Sequence, residues 1–360
     1  MEADNEIGMN FLSYVRKKKD SLAESPFNVV DALMLSYLCY TDFPCNRFFV
    51  NSLCEYQRME GYDTIEPHRD SFLPKKSLEL LKTLSASPRF KDIKILDQEK
   101  QKDKDKKVEF KATCFDFNDF LVIGFEGTTP SYIGWEEDFA LSFQEEIASY
   151  PLAIDFVKGF LKKTNKDIVL LGHSKGGHLA AYCLYALSDE PRIRSCYSFE
   201  GPGFRDKKIT EFLKQETRYT KFVPSSSIVG MLFSNEEEMR IVRSNNVSFF
   251  QHNPLEWVIR DDDFIYLKKR SYSSISLDKS INGWINSISL EERERFSSIL
   301  FGALHSFEVQ DFTTFFKKLP AQIRPARIAF KRLSKEDRDF FAKVLHSLAR
   351  HLSNPNRTDF

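Results

Sequence analysis

The residues best suited to chemistry stand in one short stretch, positions 172–176, which read Gly-His-Ser-Lys-Gly. A Gly-x-Ser-x-Gly pattern can hold a serine hydroxyl on a strained turn between a strand and a helix, where the hydroxyl can attack a carbonyl carbon. Four apolar residues at 168–171 precede the pattern, and residues 178–184 have helical spacing. This context predicts that Ser174 is a nucleophile. The alternative is a glycine-rich turn that only joins a buried strand to a buried helix.

A serine hydroxyl needs a general base near neutral pH, and histidine is the usual one. Of the seven histidines, His252 stands out because it follows the apolar segment 247–250, which is predicted to be a strand. Active sites of open α/β sheets lie at the ends of such strands. We therefore predict that His252 is the base, the alternative being a surface or capping histidine. His173 and His178 flank the nucleophile and are expected to point away from its hydroxyl.

The third catalytic group is expected between Ser174 and His252, because the chain order in this kind of site is serine, acid, histidine. Glu200 follows the predicted strand 193–199 and precedes Gly-Pro-Gly, a loop that can turn its carboxylate towards His252. Asp206 is a less well placed candidate. The sequence predicts Glu200 as the acid, the alternative being a loop carboxylate on the surface.

An oxyanion hole needs two backbone N–H donors that face the reacting carbonyl oxygen. One is expected from Lys175, which follows the nucleophile, and the other from a loop after an earlier strand. Gly127 and Thr128 follow the predicted strand 120–125, and Gly127 permits a tight approach. The N–H of Thr128 is therefore predicted to be the second donor, with an ordinary β-turn as the alternative.

The elements that must position these residues alternate between helix and strand. Helices are predicted at residues 28–40, 77–84, 136–149 and 151–163, and again from about residue 290 to the end. Strands are predicted at residues 108–114, 120–125, 168–171, 193–199, 219–223 and 247–250. The charged run 98–107 is predicted to be a solvated loop. The alternation predicts an α/β fold, in which helices cover both faces of a mostly parallel sheet and a helical extension follows.

Composition excludes several classes of function. The chain has 360 residues with 52 basic and 52 acidic side chains, and this zero net charge argues against a nucleic-acid partner. The six cysteines contain no Cys-x-x-Cys pair, which predicts reduced thiols rather than a disulfide framework or a zinc site. No apolar run reaches about eighteen residues, and residues 1–4 do not begin a signal peptide, so a cytoplasmic location is expected.

Five blocks of sequence resemble class 3 lipases, and most closely a bacterial lipase-like branch called Mbeg-like. The resemblance covers about residues 28–300 and includes the elbow Gly-His-Ser-Lys-Gly-Gly. The other blocks are Phe-Glu-Gly-Thr at 125–128, Gly-Trp-Glu-Glu-Asp-Phe at 134–139, Ser-Phe-Glu-Gly-Pro-Gly-Phe at 198–204, and Phe-Gln-His-Asn-Pro at 250–254 with Trp257. The resemblance implies an α/β-hydrolase fold and a serine esterase or lipase of lipid metabolism. The triad chemistry needs no metal or cofactor.

Two positions depart from the lipase pattern. Ser227 occupies the place of the lipase aspartate, and a hydroxyl cannot stabilise an imidazolium as a carboxylate does. Either Glu200 supplies that charge or the triad is incomplete. Glu126 stands where lipases carry an arginine, which inverts a charge beside the oxyanion loop. If Glu126 points into the sheet edge, an arginine or lysine is expected to pair with it.

The predicted function is a serine esterase or lipase that cleaves an ester or lipid-like small molecule through an acyl-enzyme on Ser174. The Lys175 side chain would either suit an anionic group of the substrate or extend into solvent. Residues 135–150 and 231–233 would form either a lid or acyl pocket, or ordinary core. The opposing prediction is a catalytically silent scaffold that binds an anionic partner or a membrane surface. A peptidase or a thioesterase also stays open, because the triad chemistry does not fix the acyl donor.

The predicted domain division places a lipase-like α/β-hydrolase domain at residues 1–290 and a basic helical extension at 291–360. Eleven lysines and arginines face only three acidic residues within 317–357. This excess predicts a weak contact with an anionic membrane surface. Alternatively, apolar residues such as Phe341 and Leu345 pack the last helix onto the core while the charges face water. No pattern in the sequence sets an oligomeric state.

Overall fold

The computed structural model of the protein describes residues 8–43, 51–53, 55, 74–307, 309 and 311–354. The predictions for residues 1–4, Cys45, Cys54 and His68 lie outside the described residues. The expected buried, unbridged thiols are observed at Cys39, Cys114, Cys183 and Cys196. Within the described ranges, no helix combines the length and the apolar character that crossing a bilayer requires.

The strands alternate with helices along most of the chain. The strands are β1 (Asn51–Ser52), β2 (Lys94–Asp103), β3 (Val108–Asp116), β4 (Phe120–Phe125), β5 (Asp167–His173), β6 (Ile193–Phe199), β7 (Tyr219–Pro224), β8 (Met239–Val242), β9 (Ile259–Arg260), β10 (Asp263–Phe264) and β11 (Tyr266–Leu267). The α-helices are α1 (Phe11–Lys17), α2 (Val29–Leu38), α3 (Pro74–Ala86), α4 (Tyr132–Ala140), α5 (Ser149–Leu161), α6 (Lys175–Ala186), α7 (Lys207–Gln215), α8 (Tyr272–Asn286), α9 (Leu290–His305), α10 (Phe312–Lys317), α11 (Leu319–Arg332) and α12 (Lys335–Ser353).

The main sheet has the strand order β1-β2-β3-β4-β5-β6-β7-β8-β11. Strands β4 to β8 run parallel to one another. Antiparallel pairs flank this parallel centre, with β1, β2 and β3 on one side and β11 on the other. Helices α5, α6 and α7 lie in the crossovers from β4 to β7, and a 3₁₀-helix at Val229–Met231 lies in the crossover from β7 to β8. The carboxyl ends of β4 to β8 therefore lie along one edge of the sheet.

Alternating residues of the central strands face two separate cores. Val169 and Leu171 of β5 pack in a cluster that also contains residues of α1, α2 and α3. Ile168 and Leu170 pack on the opposite face with residues of α5 and α6. A strand buried on both sides reads as a continuous apolar run, which is why 168–171 shows no alternation. The predicted α/β-hydrolase fold, with helices on both faces and helices at the C-terminus, is confirmed.

The prediction of a solvated loop at 98–107 is wrong for most of that segment. Residues 94–103 form β2, which pairs with β3 through a turn at 104–107. The backbone of Asp105 and Lys106 donates to Asp103 Oδ1 at 2.9 and 3.1 Å, which closes the turn. Charged side chains are compatible with this strand because it lies near the edge of the sheet and remains half exposed.

Two other predicted elements differ in the structure. The helix expected at 136–149 begins earlier, at Tyr132, because Ser131 Oγ caps it by accepting from Gly134 N at 3.1 Å. It ends at Ala140, and the next helix begins at Ser149. The strand expected at 247–250 is instead a 3₁₀-helix, Ser248–His252. Val247, which precedes this helix, and Phe250 within it are 70% and 67% exposed and do not pack in the core.

The C-terminal helices pack onto the α/β part of the chain. Ser334 caps α12, because its Oγ accepts from Asp337 N at 2.9 Å. Phe341 of α12 stacks on Phe296 of α9, with ring centroids 4.9 Å apart. Leu348 joins the same apolar cluster, whereas Leu345 is exposed. The last helix is therefore held to the fold by apolar contacts on one of its faces.

Candidate active site

Ser174 lies on a sharp turn at the carboxyl edge of the sheet. Strand β5 ends one residue before Ser174, α6 begins one residue after it, and its backbone has φ 57° and ψ −130°. A side chain added at Gly172 would lie 2.1 Å from the carbonyl carbon of Gly176, and one at Gly176 would lie 2.0 Å from the Phe125 oxygen. Both glycines are required because strand, turn and helix touch at the backbone. The structure thus has the elbow geometry that the motif predicts.

Glu200 occupies the corresponding position at the end of the neighbouring strand β6. Its backbone also has positive φ, 55°, and its N–H donates to the Phe222 oxygen at 2.8 Å. The carboxylate is 1% exposed. Its Oε1 atom accepts hydrogen bonds from Ser227 Oγ at 2.9 Å and from Ile228 N and Gly230 N at 3.3 Å each. Three donors therefore fix the orientation of the carboxylate.

His252 lies beside this carboxylate, on the 3₁₀-helix and not at the end of a strand. Its Nδ1 atom is 3.8 Å from Glu200 Oε1, and 22% of its side chain is exposed. Its backbone carbonyl accepts a hydrogen bond from His173 Nε2 at 2.8 Å, and the two imidazole rings lie 4.6 Å apart. The expectation that a strand would position His252 is wrong, and the histidine that precedes the nucleophile holds it instead.

His173 links the elbow to the His252 loop and to α2. A carbonyl oxygen can only accept, so Nε2 carries the proton, and Nδ1 accepts from Tyr40 Oη at 3.1 Å. Burial, and then the neighbouring charge of His252, lowers the pKa of His173 well below its usual value. His173 is therefore neutral and serves as a fixed bridge. Sequence reasoning missed both His173 and Tyr40, and no motif in the sequence marks Tyr40.

The loop after β4 lies against the nucleophile, as the oxyanion prediction requires. A side chain at Gly127 would lie 3.0 Å from Ser174 Cβ and 2.0 Å from Tyr40 Oη. Thr128 is buried, and its Oγ1 donates to Asp138 Oδ2 at 2.5 Å. Asp138 on α4 thus anchors the loop that carries the predicted donor. Burial raises the pKa of Asp138 to about 6, although the nearby Lys175 charge and the Thr128 hydrogen bond oppose that shift.

The Lys175 side chain is buried and paired with Glu137, so it is neither extended into solvent nor available to an anionic group of a substrate, and both expectations for it are wrong. It is 2% exposed, and Nζ donates to Glu137 Oε2 at 2.9 Å and to the Glu109 carbonyl at 2.7 Å. Burial alone would lower the pKa of Lys175, but Glu137, Asp138 and Glu109 together raise it. The side chain is turned away from the turn because α6 begins at Lys175 and directs it into the core. Only its backbone N–H remains as a candidate for the oxyanion hole.

Glu126 has the cationic partner that was expected if it pointed into the sheet edge. Lys111 Nζ lies 2.9 Å from Glu126 Oε1 and 2.8 Å from Asp42 Oδ1. All three groups lie beside the oxyanion loop, and Lys111 and Glu126 are buried. The charge inversion relative to lipases is thus matched by a lysine on the adjacent strand β3.

A cavity of about 720 Å³ opens onto Ser174, His252 and Thr128. Its wall is mainly aromatic and aliphatic, and it includes Trp135, Phe139, Leu232, Phe233, Ile281, Trp284, Ile285, Ile288, Leu300, Phe301 and Phe312. Parts of both regions proposed as lid or acyl pocket, 135–150 and 231–233, therefore line the cavity. Helices α8 and α9 and the start of α10 contribute much of the wall. Among the described residues, no cluster of three or more His, Cys, Asp or Glu residues is arranged to hold a metal ion.

The model of the Mbeg1-like family matches residues 84–302, which is more than half of the chain. The chain belongs to the Mbeg1-like family. The match includes Ser174, Glu200, His252 and Thr128, whereas Tyr40 and the cavity-wall residue Phe312 of this Mbeg1-like protein lie outside it. No curated protein matches the sequence.

Solved structures similar to this Mbeg1-like protein include several fungal lipases. The mono- and diacylglycerol lipase from Aspergillus oryzae is 12% identical with a TM-score of 0.43, over 70% of this chain and 95% of that one. The Lip2 lipase from Yarrowia lipolytica is 12% identical with a TM-score of 0.37, over 65% of this chain and 83% of that one. Similarity at this level carries no argument about activity, and the site must be judged on its own geometry.

Proposed function

We propose that the protein is a serine hydrolase that cleaves a carboxylic ester with an apolar acyl group. The observation that carries the proposal is that Ser174, His252 and Thr128 line one apolar cavity while Glu200 lies directly behind His252. A cavity of about 720 Å³ with aromatic and aliphatic walls suits a hydrocarbon chain. Lipase-like architecture alone would not support an activity, because one fold hosts many functions.

In the proposed reaction, His252 Nε2 removes the proton from Ser174 Oγ, because Nδ1 faces Glu200. The serine oxygen forms a bond to the ester carbonyl carbon, and the electrons of the carbonyl bond move to its oxygen. The backbone N–H groups of Thr128 and Lys175 stabilise that oxyanion. Its collapse breaks the bond to the alcohol, which leaves with the proton from His252. Water then attacks the acyl-enzyme by the same route and releases the acid.

We assign the role of triad acid to Glu200. Ser227, which stands in the place of the lipase aspartate, donates to Glu200 Oε1 and so supports this carboxylate rather than replacing it. The proposed acid thus follows β6, whereas the acid of the lipase pattern would follow β7. The separation of 3.8 Å between Glu200 Oε1 and His252 Nδ1 exceeds a hydrogen bond. Such contacts are often long without substrate and tighten in the reacting complex.

The base assignment is tested by His252→Ala, measured with a p-nitrophenyl ester of a medium-length acid. Loss of a triad base costs several orders of magnitude in rate. His346→Ala on α12 is the matched control and should retain wild-type activity, since it lies outside the cavity. If His252→Ala retains more than roughly a tenth of the activity, His252 is not the base. Absence of activity in the wild type would instead favour the scaffold alternative.

A further inference from the structure

A second cavity, of about 430 Å³, adjoins the apolar one and differs from it in chemistry. The two cavities share three wall residues, Phe233, Ile285 and Arg293. The second cavity is lined in addition by Arg205 and by polar side chains of α8. A ligand can therefore extend from the apolar cavity, where Ser174 lies, towards two guanidinium groups.

The backbone around the end of α4 holds both guanidinium groups in place. Arg205 donates from Nε to the Leu141 oxygen at 2.9 Å and from Nη2 to the Gln144 oxygen at 2.8 Å. Arg293 donates from Nε to the Ile288 oxygen at 3.1 Å and from Nη1 to the Ser142 oxygen at 2.5 Å. These bonds occupy Nε and one terminal nitrogen of each guanidinium. Within the described part of the chain, the other terminal nitrogens, Arg205 Nη1 and Arg293 Nη2, make no hydrogen bond to the protein.

Among the residues that the structure describes, no carboxylate forms an ion pair with either arginine. Other enclosed arginines of the chain form ion pairs, for example Arg89 with Asp31 and Arg218 with Glu216. Neither Arg205 nor Arg293 has a carboxylate within ion-pair distance among the described residues. Arg293 is 8% exposed. The pKa of Arg293 is lowered, mainly by burial and in addition by the like charge of Arg205.

Keeping two like charges close together in a partly enclosed site is unfavourable unless an anion joins them. Glu145 acts on Arg205 through space and opposes the lowering of its pKa by burial, but it does not reach ion-pair distance. Guanidinium groups recognise phosphate through paired N–H donors. The positive charges of two guanidinium groups together balance the negative charge of a phosphate monoester. The volume of the cavity exceeds what a carboxylate alone requires.

We propose that the Arg205–Arg293 cavity binds the phosphate group of an amphiphilic ester whose hydrocarbon chain occupies the adjoining apolar cavity. The substrate class is then a phosphate-bearing acyl ester rather than a neutral one. The identity of the reacting ester rests on the proposed hydrolase function, whereas the binding of the phosphate does not. Binding is therefore measured on protein carrying Ser174→Ala, which cannot turn the ligand over.

The probes are decyl phosphate, decanol and inorganic phosphate, titrated by calorimetry below the micelle concentration of the amphiphiles. Decyl phosphate should bind at least about tenfold more tightly than decanol, because each charge-assisted hydrogen bond adds affinity. Arg205→Gln should remove that difference. Arg194→Gln is the matched control and should retain it, because Arg194 is exposed near the opposite end of β6 from Glu200. Decanol binding should stay unchanged in all variants, which shows that each remains folded.

Three results would overturn the inference. The first is equal affinity for decyl phosphate and decanol. The second is an equal loss in Arg205→Gln and Arg194→Gln. The third is inorganic phosphate binding as tightly as decyl phosphate, which would indicate a site for free phosphate. Esterase activity of the wild type is measured separately. A protein that has no esterase activity but still binds decyl phosphate more tightly than decanol would refute the proposed function and not this inference.

Discussion

The replacement Glu200→Gln tests the assignment of the triad acid with little change of shape. The amide oxygen of glutamine can still accept from Ser227 Oγ and from the N–H groups of Ile228 and Gly230, which now hold Oε1. The fold around the end of β6 should therefore survive. What changes is the charge, because glutamine offers His252 a neutral amide oxygen in place of a carboxylate oxygen.

The expected loss follows from the charge that the imidazole acquires during the reaction. The Glu200 carboxylate stabilises the imidazolium form of His252, and a neutral amide with its oxygen at the Oε1 position does not. Converting a triad carboxylate to an amide costs about 10⁴ in kcat in a serine protease, which corresponds to about 5 kcal/mol of transition-state stabilisation. Ser227→Ala removes one of three donors to Glu200 and should cost about tenfold or less.

The two variants are compared by initial rates on one p-nitrophenyl ester, with urea unfolding to establish that both are folded. The account requires Glu200→Gln to be slower than Ser227→Ala by at least about a hundredfold. The reverse ranking, or a Glu200→Gln variant within tenfold of the wild type, would refute the assignment of Glu200. In that case the triad would be incomplete or would take its acid from elsewhere.

Three further predictions concern the elbow, the oxyanion loop and the C-terminal helices. Gly176→Ala should lower the free energy of unfolding by several kcal/mol in urea titrations, because its Cβ would lie 2.0 Å from the Phe125 oxygen; an unchanged midpoint would contradict this. Because the pKa of Asp138 is raised, its carboxyl group binds a proton more readily in the folded state than in the unfolded state. The free energy of unfolding of the wild type, relative to that of Asp138→Asn, should therefore rise by on the order of 1 to 2 kcal/mol as pH falls from about 6 to 4, after allowing for exposure to the cavity. A difference that does not change with pH would contradict this prediction. Helix α11 carries four basic residues and three exposed apolar ones, Ile323, Ile328 and Phe330. Neutralising the four basic residues should weaken co-sedimentation of the protein with anionic vesicles at low salt. Equal binding of the wild type at low and high salt would show that these charges do not contribute to membrane contact.

The elbow could be predicted from sequence because its constraints are local. Gly172 and Gly176 are needed wherever a strand, a turn and a helix touch at the backbone, and the spacing alone reveals them. The apolar run 168–171 likewise follows from burial of β5 on both faces. Glu200 was predicted from its place at a strand end, and the structure puts its carboxylate beside His252.

Other features depend on partners that are distant in sequence and could not be predicted. The buried position of the Lys175 side chain depends on its hydrogen bond to Glu137, which lies 38 residues away in the sequence. The segment 98–107 reads as a solvated loop, and only pairing with β3 makes residues 94–103 a strand. Residues 247–250 have the composition of a strand, but Val247 and Phe250 are exposed to solvent and do not pack in the core. The wall that Trp284 and Phe301 build for the cavity comes from packing of the C-terminal helices.

The most direct test of the central claim is covalent labelling of the native protein with a fluorophosphonate, followed by peptide mapping in a mass spectrometer. Such a probe reports an activated serine without requiring knowledge of the substrate. The account predicts one adduct, on the peptide that contains Ser174, and its loss in Ser174→Ala and His252→Ala. No adduct on folded protein, or an adduct on Ser226 or Ser227, would contradict the proposal that Ser174 is the nucleophile.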